Sequence, residues 1–306
     1  MPTFVYSPAY YCDIGRHVFP VAKYRMLHTL LLKDPLFAEI KFLEPAAVNK
    51  ADLALVHTPQ YIDDLLNCRW TTRTKTSELP ISKQIVDAYL LGAGGTLLAA
   101  RSALESGGAA MNLTGGFHHC FPDHAEGFCY VNDVAIAIRR LQSDNKIRKA
   151  VVIDCDLHQG NGTAFIFHGD KSVFTFSIHQ EHLYPVKEES DLDIGLPDLT
   201  RDETYLGHLE DHVPKILDEF KPDLAFYLAG ADPFEGDQLG NLRLTIHGLG
   251  KRDHFVLQHC ARRAVPVAVL AAGGYAVHTD DTIQIHYNTC RALLDVFDET
   301  ARNSTP

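Results

Sequence analysis

Short apolar runs alternate with long helix-patterned stretches throughout this 306-residue chain, and that alternation leaves few architectures open. The runs at residues 4–6, 53–56, 109–113, 150–154, 173–178, 224–228 and 267–271 read as strands. The stretches at 21–33, 81–105, 131–143, 202–220, 248–263 and 280–297 read as helices. Apolar runs that lack polar alternation are buried on both faces. The order therefore predicts an α/β class: a central, mostly parallel sheet between two helical layers, a three-layer αβα arrangement. No linker, low-complexity tract or repeat interrupts the pattern, so residues 1–306 read as one domain. Chemistry in such folds gathers at the carboxyl ends of the strands.

The polar motifs of this chain fall at those ends. After the run Ala150-Val151-Val152-Ile153 come Asp154, Cys155, Asp156, Leu157 and His158. Alternation puts Asp154, Asp156 and His158 on one side of the chain. Two carboxylates and an imidazole at a buried strand end are costly unless a cation sits among them. Asp and His are zinc ligands, and three protein ligands with an open position make a catalytic site. Asp232 ends another run, Leu228-Ala229-Gly230-Ala231. Alone it would be a cap or turn residue. Beside Asp156 and His158 it becomes the natural third ligand of a set that suits zinc or ferrous iron.

Gly115-Gly116-Phe117-His118-His119 follows a third run. Adjacent histidines beside a predicted metal site read as acid/base groups, because imidazole titrates near neutrality. Each needs a partner on its second nitrogen, and Asp154 and Asn161 are at hand. Gly273-Gly274-Tyr275 follows the last run, and a phenol there can donate a hydrogen bond to a developing oxyanion. Gly127-Phe128-Cys129 opens a helix, with Phe128 a core residue or the wall of an apolar channel. Gly92, Gly94 and Gly95 lie inside a helical pattern with no strand leading into them, which points to close helix packing rather than phosphate binding. Residues 70–79 and 187–196 read as surface loops, the first at the rim of a site.

Composition narrows the function classes. Hydrophobic residues make up 46% and charged residues 22%, as in a globular protein with a large core. A formal net charge of −11 argues against nonspecific nucleic-acid binding. Seven scattered cysteines without a Cys-x-x-Cys pair argue for a reducing compartment and against a thiolate zinc site. Residues 1–6 lack the basic start and apolar core of a signal peptide, and no apolar run approaches a membrane span. The expectation is a cytoplasmic protein, with the nucleus an open alternative if its cell is eukaryotic.

Taken in order, Gly-Gly-Phe-His-His (115–119), Gly-Phe-Cys-Tyr-Val-Asn-Asp (127–133), Asp-Cys-Asp-Leu-His-Gln-Gly-Asn-Gly (154–162), Ala-Gly-Ala-Asp (229–232) and Gly-Gly-Tyr (273–275) resemble the zinc-dependent histone deacetylases. The resemblance runs from Tyr6-Ser7-Pro8 to Tyr275. It implies the arginase/deacetylase fold, with a parallel sheet of about eight strands between helical layers. Residues 158–162, 235–240 and Lys251-Arg252-Asp253 look like class IV, bacterial and some class II members. Class I enzymes carry an Asp where this chain has Asn161; a neutral amide orients a histidine without stabilising its protonated form, so His119 should be less basic here.

The resemblance also implies roles. Asp156, His158 and Asp232 hold zinc. His119 is the general base that later protonates the leaving amine, and His118, paired with Asp154, is mainly electrostatic. Tyr275 polarises the carbonyl. Gly127, Phe128 and Tyr184 line the substrate channel. A structural potassium ion lies against Asp154, Asp156, His158, Ser177 and Ile178. The implied substrate is an acyl-lysine protein or peptide carrying acetyl or a longer fatty acyl group. Two alternatives stay open: an acylated polyamine as substrate, or a catalytically silent metal-binding interaction module.

Overall fold

The computed structural model describes residues 1–303, with side chains through residue 298. Among these residues the strands are β1 (Thr3–Val5), β2 (Phe42–Leu43), β3 (Ala109–Asn112), β4 (Ala150–Asp154), β5 (Val173–Gln180), β6 (Leu192–Leu196), β7 (Leu224–Leu228) and β8 (Val267–Leu270). They form one sheet of 8 strands in the order β2-β1-β3-β8-β7-β4-β5-β6. Every neighbouring pair is parallel. The helices are α1 (Lys23–Lys33), α2 (Lys50–Leu53), α3 (Pro59–Leu66), α4 (Lys83–Ser106), α5 (Asp133–Ser143), α6 (Asn161–Phe167), α7 (Asp202–Phe220), α8 (Ile246–Arg262) and α9 (Thr279–Asn303).

Strand alternation sorts the apolar side chains into two cores. Val152, Phe226 and Ala268 face Ala100 of α4 and Val134 and Ile138 of α5. Val151, Ile153, Tyr227 and Val269 face Leu27 of α1, Leu209 of α7, Val256 of α8 and Leu293 of α9. The central strands are buried along their whole length, as parallel strands covered on both faces must be. The three-layer α/β arrangement predicted from the sequence is the one observed.

Three local expectations change. Residues 53–56 are not a strand. Asn49 Oδ1 accepts from the Ala51 and Asp52 amides, and Asp52 Oδ2 accepts from the Asn49 amide, so a capping box starts α2 and the apolar residues close its turn. Residues 187–196 are not wholly a loop, because their last five residues pair with β5 as β6. Leu192, Ile194 and Leu196 alternate there with exposed Asp193 and Gly195, the pattern of a charged edge strand. Strand β2, also unpredicted, is only two residues long. The glycines of α4 serve packing as expected: a methyl group at Gly94 would strike the Ala46 carbonyl, and one at Gly95 the Tyr10 hydroxyl.

The sheet order decides where chemistry can sit. Strands β3, β8, β7 and β4 are consecutive neighbours, and each is followed by one of the polar motifs. Four loops therefore meet at one end of the sheet.

Candidate metal centre

Asp156, His158 and Asp232 are brought together by two of those loops. One ligand atom from each lies within 4.8 Å of the others, and all three residues are buried. Most of their remaining lone pairs are committed to backbone. Asp156 Oδ1 accepts from the His158 amide at 3.0 Å, and Oδ2 from the Gly273 amide at 3.0 Å. Asp232 Oδ1 accepts from the Leu157 amide at 3.0 Å, whereas Asp232 Oδ2 is buried without a hydrogen-bond partner. His158 Nδ1 faces Asp156 Oδ1 at 3.3 Å and Asp232 Oδ2 at 3.4 Å.

The electrostatics call for a cation at this point. Burial and the Asp156 charge raise the Asp232 carboxyl to about 7. Burial alone would lower His158, but Asp156 and Asp232 override it and raise the imidazole to about 10. Two close carboxylates in a dry site repel unless positive charge lies between them. The oxygen–nitrogen–oxygen donor set and the orphaned Asp232 oxygen fit a divalent zinc-like ion. Gly273 is needed here for space: a side chain would run into the Asp156 and Asp232 carboxylates.

The adjacent histidines behave differently from each other. His118 Nδ1–H donates to Asp154 Oδ2 at 2.6 Å. Burial lowers its basicity, yet Asp154 and Asp156 outweigh that and hold it at about 9. His119 Nδ1–H donates to Asn161 Oδ1 at 2.8 Å. Burial, then the His118 and His158 charges, push His119 well below 6.5. The two Nε2 atoms are 3.1 Å apart. His118 is thus the charged ring and His119 the neutral one, with its Nε2 free of a proton. That split is the signature of an acid/base pair. The lowering of His119 comes from burial and the neighbouring histidines, while the Asn161 hydrogen bond acts weakly the other way.

An unpredicted group lies behind Asn161. Its amide nitrogen donates to Glu126 Oε1 at 2.8 Å, which fixes the amide with oxygen toward His119. The same Glu126 oxygen accepts from the Tyr184 hydroxyl at 3.2 Å. Asp133 is another. Its carboxylate accepts from the Gly116 and Phe117 amides at 3.0 and 2.7 Å and so shapes the histidine loop. No pattern in the sequence distinguished Glu126, but Asp133 stood inside a quoted motif and could have been found there.

Tyr275 lies at the inner wall, nine-tenths buried. Burial, then the Asp232 and Asp156 charges, keep its phenol protonated far above neutral pH. Asp237 Oδ2 accepts from its amide at 2.7 Å. From below, buried Lys23 donates to the Ala272 carbonyl at 2.6 Å and lies 5.8 Å from the Tyr275 ring. Neither Asp237 nor Lys23 was anticipated as part of the site.

A cavity of about 30 Å³ opens onto these groups, lined by Phe19, Phe128, His118, His119, Asp156, His158 and Tyr275 among others. Phe19 and Phe128 are parallel at 6.1 Å, and Phe128 meets Tyr275 edge-on at 5.8 Å. Phe128 holds this place with a left-handed backbone (φ 62°), fixed by its amide donating to Ser77 and its carbonyl accepting from Tyr89. Tyr184 stands 5.4 Å from the His119 ring on the outer side. Gly127 packs against His119 and the Tyr184 hydroxyl where no side chain would fit. The 70–79 loop supports the wall from behind, through the Ser77 carbonyl that accepts from the Phe128 amide, and none of its residues lines the cavity. Phe19 is the wall that sequence reasoning missed.

At the expected second ion site, Asp154 pairs in register with Ser177. Ser177 Oγ lies 2.9 Å from His179 Nδ1. Ser177 and Ile178 are buried there beside the metal loop.

Comparison with known sequences adds a family. Residues 17–290 match the family model for the histone deacetylase domain. An uncharacterised protein of Picosynechococcus sp. is 43% identical over 298 residues, covering 96% of this chain and 98% of its own length. Histone deacetylase 2 of Arabidopsis thaliana is 29% identical over 271 residues, 85% of this chain and 70% of its own. Histone deacetylase 8 of Xenopus tropicalis is 29% identical over 301 residues, 90% of this chain and 79% of its own.

Proposed function

Because this chain belongs to the histone deacetylase family, we propose that it is a zinc-dependent amidohydrolase that removes an acyl group from the side-chain amine of lysine. The observation that carries the reading is the split pair. A charged His118 and a neutral His119 flank the buried Asp156–His158–Asp232 group at the end of an aromatic-walled cavity. Zinc held by those three side chains, with ferrous iron as the substitute, would supply a Lewis acid that lowers the pKa of water from 15.7 toward about 7.

The chain's own residues divide the remaining work. Phe128 and Phe19 clasp the apolar stem of the lysine, Gly127 lets the backbone pack closely against His119, and Tyr184 forms the outer lip. His119 Nε2 takes the proton of the attacking water as the new C–O bond forms. Tyr275 donates its phenolic hydrogen to the developing oxyanion. His118, anchored by Asp154, stays protonated and stabilises the negative charge. When the C–N bond breaks, His119 returns the proton to the departing amine. Asn161, held by Glu126, keeps His119 in the required tautomer. We also propose a structural potassium ion against Asp154, Asp156, His158, Ser177 and Ile178; the β4–β5 pairing of Asp154 with Ser177 supports it.

One observation favours a second substrate. Glu126 is a half-buried carboxylate beside the Tyr184 hydroxyl at the lip, and it would attract the second cation of an acylated polyamine. A helix long and apolar enough to cross a membrane is absent among the described residues. All seven cysteines are free, which fits a reducing, cytoplasmic setting. The test presents zinc-loaded protein with one lysine peptide bearing acetyl, octanoyl or myristoyl, beside N-acetylated polyamines. Peptide turnover supports the lysine reading and the preferred chain reports channel depth; turnover of polyamines alone would replace it, and no turnover with zinc bound would point to a silent metal-binding module.

A further inference from the structure

The Lys251-Arg252-Asp253 triplet contains two of the most deeply buried charges in the molecule. Arg252 and Asp253 are both fully buried on α8, away from the substrate cavity. Arg252 Nη1 donates to the Cys155 carbonyl at 3.1 Å and to the Gly230 carbonyl at 2.7 Å. Cys155 is the residue before Asp156, and Gly230 lies two before Asp232. One nitrogen therefore ties together the two loops that carry the ligands. It acts just past the strand ends, where the β4–β7 register at Asp154 and Leu228 gives way to loop.

The rest of the guanidinium is aimed by its neighbour. Arg252 Nε donates to Asp253 Oδ1 at 2.9 Å, and Nη2 lies 2.8 Å from the same oxygen. Asp253 is fixed in turn by the Tyr227 hydroxyl of β7 at 2.5 Å and the Thr289 hydroxyl of α9 at 2.6 Å. A buried ion pair adds little net stability over an apolar pair of similar size. Its geometry is what an apolar pair cannot copy: a planar fork with one edge on a carboxylate and one nitrogen on two carbonyls.

We propose that Arg252, aimed by Asp253, is a positioning residue that sets the spacing of Asp156 and Asp232 for the metal. This rests on the reading of Asp156, His158 and Asp232 as a zinc site. Groups that orient metal ligands typically change metal affinity 10–100-fold when removed. The clamp acts on the ligand loops and touches neither substrate nor metal, so it should alter zinc binding and kcat while leaving KM near its starting value.

The test is zinc binding to the full chain by chelator competition, with melting of metal-free and zinc-loaded protein followed in parallel. The variant is Arg252→Met with Asp253→Asn, which removes both charges together and leaves neither unpaired. The expected result is a dissociation constant raised about 10–100-fold, a smaller zinc-induced rise in melting temperature, and a lower kcat at saturating zinc. Wild-type zinc affinity in the folded double variant would overturn the clamp, even if both forms melted earlier. If the double variant does not fold, Arg252→Lys carries the test, because it keeps the charge and loses the fork: zinc binding weakened about threefold or more supports the clamp, and unchanged binding overturns it. A wild-type protein that takes up no zinc would overturn the site and the clamp together, whereas equal uptake by wild type and variant would remove the clamp alone.

Discussion

Two buried charged clusters lie back to back at the ends of β4 and β7, and they differ in how far they are closed. In the rear cluster, both Asp253 oxygens receive hydrogen bonds, and Arg252 spends Nη1 on two carbonyls. In the front cluster, Asp232 Oδ2 has no hydrogen-bond partner and faces the His158 ring. Both clusters carry the desolvation penalty of buried charge. The rear one meets it chiefly with protein groups, Arg252 Nη2 having only the ion pair with Asp253 at 2.8 Å and no hydrogen bond. The front one leaves a lone pair unmet beside a cavity, which is what a site for something external looks like. Burial and charge do not separate scaffold from site; the front cluster is marked by an unmet carboxylate oxygen, which can ligate a cation, whereas the unpartnered atom of the rear one is the Arg252 Nη2 nitrogen, which cannot.

That contrast breaks most sharply at Asp232. Asp232→Ala should abolish stoichiometric zinc in elemental analysis and lower deacylation roughly a thousandfold, the worth of several kcal/mol of metal assistance. Full zinc content in this variant would remove Asp232 from the ligand set. Next in size is Tyr275→Phe, which keeps every ligand and loses the oxyanion donor. It should retain zinc and lose about 2.7–4 kcal/mol of barrier stabilisation, read as kcat down by about two to three powers of ten; near-normal kcat would take Tyr275 out of the mechanism.

A smaller effect sharpens the difference between the two histidines. His119 must be neutral to accept a proton, and its basicity is held well below 6.5. Activity should therefore persist as pH falls through 6.5. Asn161→Asp with Glu126→Gln places a carboxylate on His119 Nδ1 without setting it against Glu126. This double variant should move the acidic limb of kcat/KM upward by about one unit or more. A limb that stays in place would mean that another group governs it.

An effect on stability rather than on turnover belongs to the scaffold. His57 Nδ1–H donates to the Phe121 carbonyl at 3.1 Å, and Nε2 accepts from the Asn132 amide at 3.2 Å, so the ring is locked neutral. Burial pushes it down to about 4. Its unfolded value is near 6.5, so the unfolded chain binds the proton first. Stability from this residue is full above about pH 6.5 and is lost as pH falls toward 4, by up to about 3 kcal/mol. Urea melts at several pH values in wild type and His57→Gln would show this as a shallower acid dependence in the variant; parallel curves would remove His57 from the account.

Legibility in the sequence followed how each region is stabilised. Strands β3, β4, β7 and β8 announced themselves because burial on both faces demands unbroken apolar runs, and their trailing motifs fell at the same sheet end. The edges did not. Strand β2 has two residues, and β6 hides Leu192, Ile194 and Leu196 among acids that protect an exposed edge. Residues 53–56 misled because a capping box at Asn49 and Asp52 outweighed a short apolar run. Asp156, His158, Asp232, His118, His119 and Tyr275 could be named because a costly residue type at a strand end needs a reason. Lys23 and Phe19 could not, because each reaches the site from a distant segment, and Glu126, though it adjoins Gly127, acts through a contact with Asn161 that only the fold creates.

The measurement that bears most directly on the open cluster is X-ray absorption at the zinc edge of the zinc-loaded protein. An Asp–His–Asp site predicts nitrogen and oxygen scatterers at about 2.0–2.2 Å with one imidazole signature and no sulfur. A sulfur shell near about 2.3 Å would place zinc on cysteines instead, and would contradict the assignment of the metal to Asp156, His158 and Asp232.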